Sequence, residues 1–125
     1  MKAETYHLGL LKIPVQDIEK SAQFYEKNLG FQVDFLAPEF SWAQMKAGEI
    51  SVALYVPGRG GGDRQIGGSV DFHITLAGED FDKLANKLQE ADQLSGEMVH
   101  TGADGTTFMD ILDLDENIIK VFRRN

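Results

Sequence analysis

Residues 12–33 read KIPVQDIEKSAQFYEKNLGFQV, and this stretch decides the fold. An apolar strand ends in a polar turn at Asp17, whose carboxylate can accept hydrogen bonds from the free N–H groups of a first helical turn. The helical stripe that follows comprises Ile18, Ala22, Tyr25 and Leu29. Gly30 marks the end of the helix, and apolar and polar residues alternate from Phe31 onward. The stretch therefore predicts a β-α-β unit.

The second half of the chain repeats this order. Residues 71–83 form another apolar strand with a polar turn, and Asp80 stands where Asp17 stands, as the predicted cap of a second helix. Its stripe comprises Phe81, Leu84, Leu88 and Ala91. Further strands are predicted at 42–45, 50–56, 97–100, 106–112 and 117–122. The predicted fold is α+β, with two βαβββ modules that form one curled, cup-shaped mixed sheet with the helices outside.

A glycine-rich linker separates the two modules. Six glycines lie between residues 58 and 68, and ordering them costs more conformational entropy than ordering other residues. We therefore expect a mobile linker over residues 58–69, which can also act as a lid. Module one then spans residues 1–57 and module two spans 70–125, within a single domain.

Composition excludes several classes of partner. The formal net charge is -8, with 20 acidic residues against 12 Lys and Arg, so we expect neither nucleic acid nor an anionic membrane surface as a partner. There is no cysteine, which removes disulfides and thiolate metal sites. The sequence has no apolar run typical of a signal peptide or a membrane span. These features predict a soluble, cytoplasmic protein.

The stretch at 12–33 resembles the first-module signature of the vicinal oxygen chelate superfamily, the glyoxalase, bleomycin-resistance and extradiol-dioxygenase group. The matching residues are Val15, Asp17, Phe24, Tyr25, Leu29, Gly30 and Phe31. DFHITL at 71–76 resembles the first strand of the second module. DILDLDENIIKVF at 110–122 resembles the closing Asp-Pro-x-Gly-Asn turn and last strand, with Leu114 and Glu116 in place of Pro and Gly. The resemblance covers nearly the whole chain.

Catalytic members of this superfamily hold a divalent metal through His, Gln or Glu side chains on four strands. The resemblance places those positions at Leu10, Ala53, His73 and Lys120. Leu and Ala cannot bind a metal, and a protonated Lys has no lone pair to offer. We therefore expect no metal site and no cofactor. Binding of a divalent metal would require that these positions are misassigned.

Residues on the cup side of the predicted strands are the candidates for ligand binding. The set comprises Leu10, Lys12, Trp42, Ala53, Tyr55, Asp71, His73, Phe108, Lys120 and Phe122. His73 is also the best catalytic candidate, because His titrates near neutrality. Its ordinary structural role would be a hydrogen bond to a neighbour such as Asp71, and that of Lys120 an ion pair with Asp71 or Asp110. His7 and His100 are assigned no role.

Together these features predict a glyoxalase/bleomycin-resistance-like protein that binds a small, partly apolar ligand without the family's catalytic metal. Two alternatives stay open: a metal-dependent lyase, isomerase or dioxygenase of the same superfamily, and a non-enzymatic interaction module with a vestigial cup. Whether the chain catalyses a reaction, which ligand it takes, and whether one chain or two form the cup are also open. The resemblance further implies a homodimer.

Overall fold

The computed structural model describes residues 5–90 and 99–124. Module one contains β1 (Leu11–Pro14), α1 (Ile18–Leu29), β2 (Gln32–Ala37), β3 (Trp42–Ala47) and β4 (Ile50–Tyr55), with a 3-10 turn at Pro38–Phe40. Module two contains β5 (Gly68–Ala77), α2 (Gly78–Glu90), β6 (His100–Thr101), β7 (Thr107–Leu112) and β8 (Asn117–Arg124). Of the strand predicted at 97–100, residues 97 and 98 lie outside the described residues.

Both modules have the same sheet topology. The strand order is β1-β4-β3-β2 in one sheet and β5-β8-β7-β6 in the other. In each sheet the first strand pairs in parallel with the last strand of its module, and the remaining pairs are antiparallel. The predicted α+β fold with two βαβββ modules is therefore confirmed, while the curling of the sheets into a cup stays a prediction.

Helix α1 begins and ends where the sequence predicts. The Asp17 carboxylate accepts hydrogen bonds from the backbone N–H groups of Glu19 and Lys20 at 3.0 and 3.1 Å. At the other end Gly30 has a φ of 73°, in the left-handed region that glycine adopts without a Cβ penalty. Local side-chain chemistry thus fixes both ends of this helix.

The prediction that Asp80 caps α2 is wrong. Strand β5 continues to Ala77 and passes directly into α2 at Gly78, so Asp80 lies within the first helical turn. Its carboxylate and that of Glu79 stabilise the helix there through the positive end of the helix dipole. Ala91, predicted in the apolar stripe of this helix, lies outside the described residues.

One hydrophobic core joins the two modules. Alternation along the strands buries Ile13, Met45 and Leu54 in module one and Met109 and Ile119 in module two, each at most 1% exposed. All of these residues belong to one cluster that also includes residues of both helices. Full burial of each such side chain stabilises the fold by about 1.5–3 kcal/mol. The opposite face of each sheet, here called the open face, is thereby left for other contacts.

A buried polar network also links the modules. The Asn117 side chain donates to the Pro14 carbonyl at 2.8 Å and to Asp113 Oδ2 at 2.9 Å, and accepts from Gly67 N–H at 2.9 Å. The Tyr25 hydroxyl donates a hydrogen bond to Asp113 Oδ2 at 2.5 Å, and burial raises the pKa of Tyr25 well above its ordinary value. The network fixes the ends of β1 and β8 relative to each other and so positions the open faces beside the linker.

Candidate ligand-binding site

The open faces carry the residues that the sequence predicted for ligand binding. Along β5, Asp71, His73 and Thr75 are exposed, whereas the intervening Ile74 is buried against the core. Lys12 is likewise exposed beside the buried Ile13. Because successive side chains of a strand point to opposite faces, these residues lie on the side away from the helices.

No helix of the described part of the chain is long and apolar enough to cross a membrane.

A pocket of about 390 Å³ lies where the two modules meet the linker, and we call it the junction pocket. Of the residues predicted for ligand binding, Leu10, Lys12, Tyr55 and Asp71 line it. The remaining wall comes mainly from linker residues 62–67 and from the start of β5, which begins at Gly68 and so shortens the linker predicted over residues 58–69. Asp71 forms an ion pair with Arg64 of the linker.

The linker covers the open face of module one. A Cβ atom added to Gly61 would lie 3.1 Å from the Trp42 ring and from Tyr55 Cβ, and one added to Gly62 would lie 2.8 Å from Tyr55 Cε2. Only residues without a side chain allow so close an approach. Lys12 Nζ donates to the Gly61 carbonyl at 2.6 Å. Tyr55 is consequently only 1% exposed, although it lies on the open face. Ala53, on the same face, is 0% exposed.

Trp42 lies on the far side of the linker from the junction pocket. It lines a second pocket of about 360 Å³ together with Phe35, Phe40 and linker residues 59–61. Phe35 and Phe40 are 48% and 69% exposed. The linker therefore separates the single indole of the chain from Lys12 and Asp71, which the sequence placed in the same site.

The open face of module two carries a row of rings. His73 packs against Phe122 with ring centroids 4.8 Å apart, Phe122 against Phe108 at 5.3 Å, and Phe108 against His100 at 5.1 Å. The rings come from β5, β8, β7 and β6, so the row crosses the whole sheet. His100, which sequence reasoning gave no role, joins it because β6 pairs His100 with Phe108.

Lys120 lies over this row and is already paired. Its Nζ lies 4.1 Å from the centroid of the Phe108 ring and 3.1 Å from Asp110 Oδ1. The predicted ion pair with Asp110 is therefore present. Because a nearby carboxylate neutralises its charge, Lys120 attracts an anionic ligand less strongly than a cation without such a partner.

The family's metal positions do not hold a ligating set. Strand register pairs His73 with Lys120 in module two, whereas in module one it pairs Ala53 with Lys12 rather than with Leu10. Leu10 lies just before β1. Among residues 5–90 and 99–124 no group of three or more His, Asp or Glu side chains is arranged to hold a metal ion. These residues do not fit the divalent metal of the catalytic members.

Paired βαβββ modules, each with an open sheet face, define the vicinal oxygen chelate class of proteins. The sequence profile of the Glyoxalase/Bleomycin resistance protein/Dioxygenase superfamily matches residues 7–121, and the chain belongs to this superfamily. A comparison with curated proteins gives no match.

Solved structures share the whole fold at low sequence identity. A superfamily member from Sphaerobacter thermophilus is 24% identical with a TM-score of 0.78, and the match covers 96% of this chain and 98% of that one. Lactoylglutathione lyase from Agrobacterium tumefaciens is 16% identical with a TM-score of 0.78, covering 97% and 96%. TioX from Micromonospora sp. ML1 is 14% identical with a TM-score of 0.72, covering 93% and 97%. At these identities the likeness shows the fold alone.

Proposed function

We propose that this protein binds a small, partly apolar ligand on its open faces, around the junction pocket, without a catalytic metal. The observation that carries the proposal is the chemistry of the side chains in two strand pairs, Lys12–Ala53 and His73–Lys120, which include three of the four predicted metal positions. His73 is the only side chain of these four with a lone pair suited to a divalent ion, and one imidazole does not hold a catalytic metal. The positions that would hold the metal instead offer apolar surface and cations.

The surroundings of these pairs suit an organic ligand. Leu10 and Tyr55 supply apolar and aromatic surface to the junction pocket, and Lys12 supplies a cation beside them. Small-molecule sites typically combine a mostly apolar wall with a few polar groups that fix orientation. In module two the row His73–Phe122–Phe108 offers aromatic faces for stacking.

Elemental analysis of protein purified without chelators tests the metal-free part of the proposal. We expect no stoichiometric Zn, Mn, Fe or Ni. One equivalent of a divalent metal that disappears in His73→Ala would contradict the proposal and favour a metal-dependent enzyme of the superfamily.

A ligand screen tests the binding part. Trp42 is the only tryptophan and lies against Gly61 of the linker, so its fluorescence reports changes at the covered face. We expect some members of a chemically broad library to change this fluorescence and raise the melting temperature. If no compound does either, a non-enzymatic interaction module with a vestigial cup becomes the better account.

We also propose that two copies of the chain associate. Strand β2 lies at the edge of its sheet, and it exposes Val33, Phe35 and Leu36, with Phe40 beside them, at 38–69%. An exposed apolar edge strand is a surface that a closed two-fold contact covers. Sedimentation equilibrium at micromolar concentration should give twice the monomer mass; the monomer mass alone would refute the proposal.

A further inference from the structure

We propose that linker residues 58–66 form a lid that occupies part of the ligand site, and that a ligand carrying an oxyanion on a planar apolar body displaces it. Lys12 Nζ and the Tyr55 hydroxyl, both engaged or covered by the lid, would then bind the oxyanion. This inference rests on the proposed function and names the ligand class and the polar contacts for it.

Few contacts hold the lid in place. Ile66, which is half-buried at the end of the lid, is the one apolar side chain among residues 58–66, so the lid has little side-chain surface of its own to bury. The ion pair between Arg64 and Asp71 joins two exposed side chains and contributes little to stability. The remaining side-chain tether at the tip is the hydrogen bond from Lys12 to the Gly61 carbonyl. A ligand that offers Lys12 a better acceptor therefore competes directly with the lid.

An unsatisfied hydroxyl group lies beneath the lid. The Tyr55 hydroxyl is buried and has no hydrogen-bond partner among the described residues. Gly62 lies directly on it, since a Cβ there would be 3.1 Å from the hydroxyl oxygen. A buried donor without an acceptor destabilises the closed arrangement, and a ligand acceptor would remove that penalty. The Tyr55 hydroxyl is thus a buried donor beneath the lid that is available to a ligand acceptor once the lid moves.

Among the described residues, the charges around the junction pocket leave Lys12 without a counter-charge. The charged residues lining the junction pocket are Lys12, Asp63, Arg64 and Asp71. Arg64 and Asp71 neutralise each other, and Asp63 is exposed to solvent; among residues 5–90 and 99–124 Lys12 meets no carboxylate, that of Asp63 included, within salt-bridge distance. Lys12 Nζ also lies 5.3 Å from the centroid of the Tyr55 ring, so the side chain that carries the cation packs against the side chain that carries the free hydroxyl. A cation without a counter-charge beside a free donor favours an oxyanion over a neutral group.

The test uses two fluorescent probes that differ in one group. 1-Anilinonaphthalene-8-sulfonate has the planar apolar body and the oxyanion, and N-phenyl-1-naphthylamine has the same body without the sulfonate. We expect the native protein to bind the sulfonate about tenfold or more tightly than the neutral probe, which is the ratio typical of one charge-assisted hydrogen bond. Lys12→Met should abolish this preference and, because the lid loses its tether, bind the neutral probe more tightly than the native protein does. Tyr55→Phe should weaken binding of the sulfonate more than binding of the neutral probe, because it removes a contact to the oxyanion and also removes the unsatisfied hydroxyl that favours opening of the lid.

A glycine variant tests the lid without removing a ligand contact. Gly62→Ala places a methyl group against Tyr55 and should hold the lid open, so that both probes bind more tightly and acrylamide quenches Trp42 more strongly. Gly105→Ala is the matched control, because Gly105 also has a positive φ, 84°, but nothing lies within 4 Å of its added Cβ. Denaturant unfolding verifies that each variant is folded before binding is measured.

The outcomes separate the two claims. If both probes bind, but Lys12→Met keeps the sulfonate preference or Gly62→Ala behaves like Gly105→Ala, the lid inference is overturned and the proposed function stands. Should neither probe bind the native protein or Gly62→Ala, both claims fail. If Gly62→Ala does not fold, the opposite responses of the two probes to Lys12→Met decide the question alone.

Discussion

Replacing Asn117 with Ala should destabilise the protein more than any exposed substitution. The side chain is 1% exposed and makes three hydrogen bonds, to Pro14 O, Asp113 Oδ2 and Gly67 N. Each bond contributes about 1 kcal/mol net, and a buried partner left unsatisfied costs about 1–3 kcal/mol. Asp113 keeps hydrogen bonds from Tyr25 and from backbone N–H groups, so the loss of its hydrogen bond from Asn117 is partly compensated. We expect a total loss of about 2–4 kcal/mol in the free energy of unfolding.

Urea denaturation followed by circular dichroism measures this loss. The urea concentration at the midpoint of unfolding should fall. The slope of the free energy of unfolding against urea concentration should stay unchanged, because the surface exposed on unfolding is the same. Asn86→Ala on the exposed surface of α2 is the control and should change the free energy of unfolding by no more than about 0.5 kcal/mol. If Asn117→Ala loses no more stability than Asn86→Ala, the network does not hold the modules together.

Three further predictions concern Asp115, Lys120 and Trp42. Burial, and then the charge of Asp113, raise the pKa of Asp115, so the native protein loses stability as pH rises from acid through that pKa. Asp115→Asn should therefore unfold at higher temperature than the native protein at pH 7 and equally in acid; a pH-independent difference would refute this. Lys120→Met should alter the preference for an anionic probe less than Lys12→Met does, because Asp110 already neutralises Lys120; an equal or larger effect would contradict the assignment of Lys12. Trp42→Ala should cost ligand affinity about 1–3 kcal/mol in a calorimetric titration if the ligand buries the indole; unchanged affinity would place Trp42 outside the site.

The fold could be predicted from the sequence because its signals are local. The carboxylate of Asp17, the left-handed Gly30 and the alternation along β3, β7 and β8 each act within a few residues, and the structure has all three. Asp80 shows where local reasoning fails. A strand that continues to Ala77 sets the start of α2, and strand length depends on pairing with β8 rather than on the turn sequence.

The site could be predicted only in part, because it depends on contacts between distant segments. Alternation correctly placed Lys12 and His73 on the open faces. No spacing rule shows that the linker lies on Trp42 and Tyr55, or that Arg64 reaches Asp71. The ring row includes His100 through pairing of the short strand β6, which is too short to show a periodic pattern.

The central claim is that the open faces bind an organic ligand without a metal. The most direct test is the affinity of chelator-treated protein for 1-anilinonaphthalene-8-sulfonate, measured before and after addition of one equivalent of Zn²⁺, Mn²⁺ or Ni²⁺. Because the strand pairs Lys12–Ala53 and His73–Lys120 offer one imidazole and no carboxylate, we predict that metal-free protein binds the probe and that none of the ions changes its affinity. Binding that appears only after a metal is added would contradict the account.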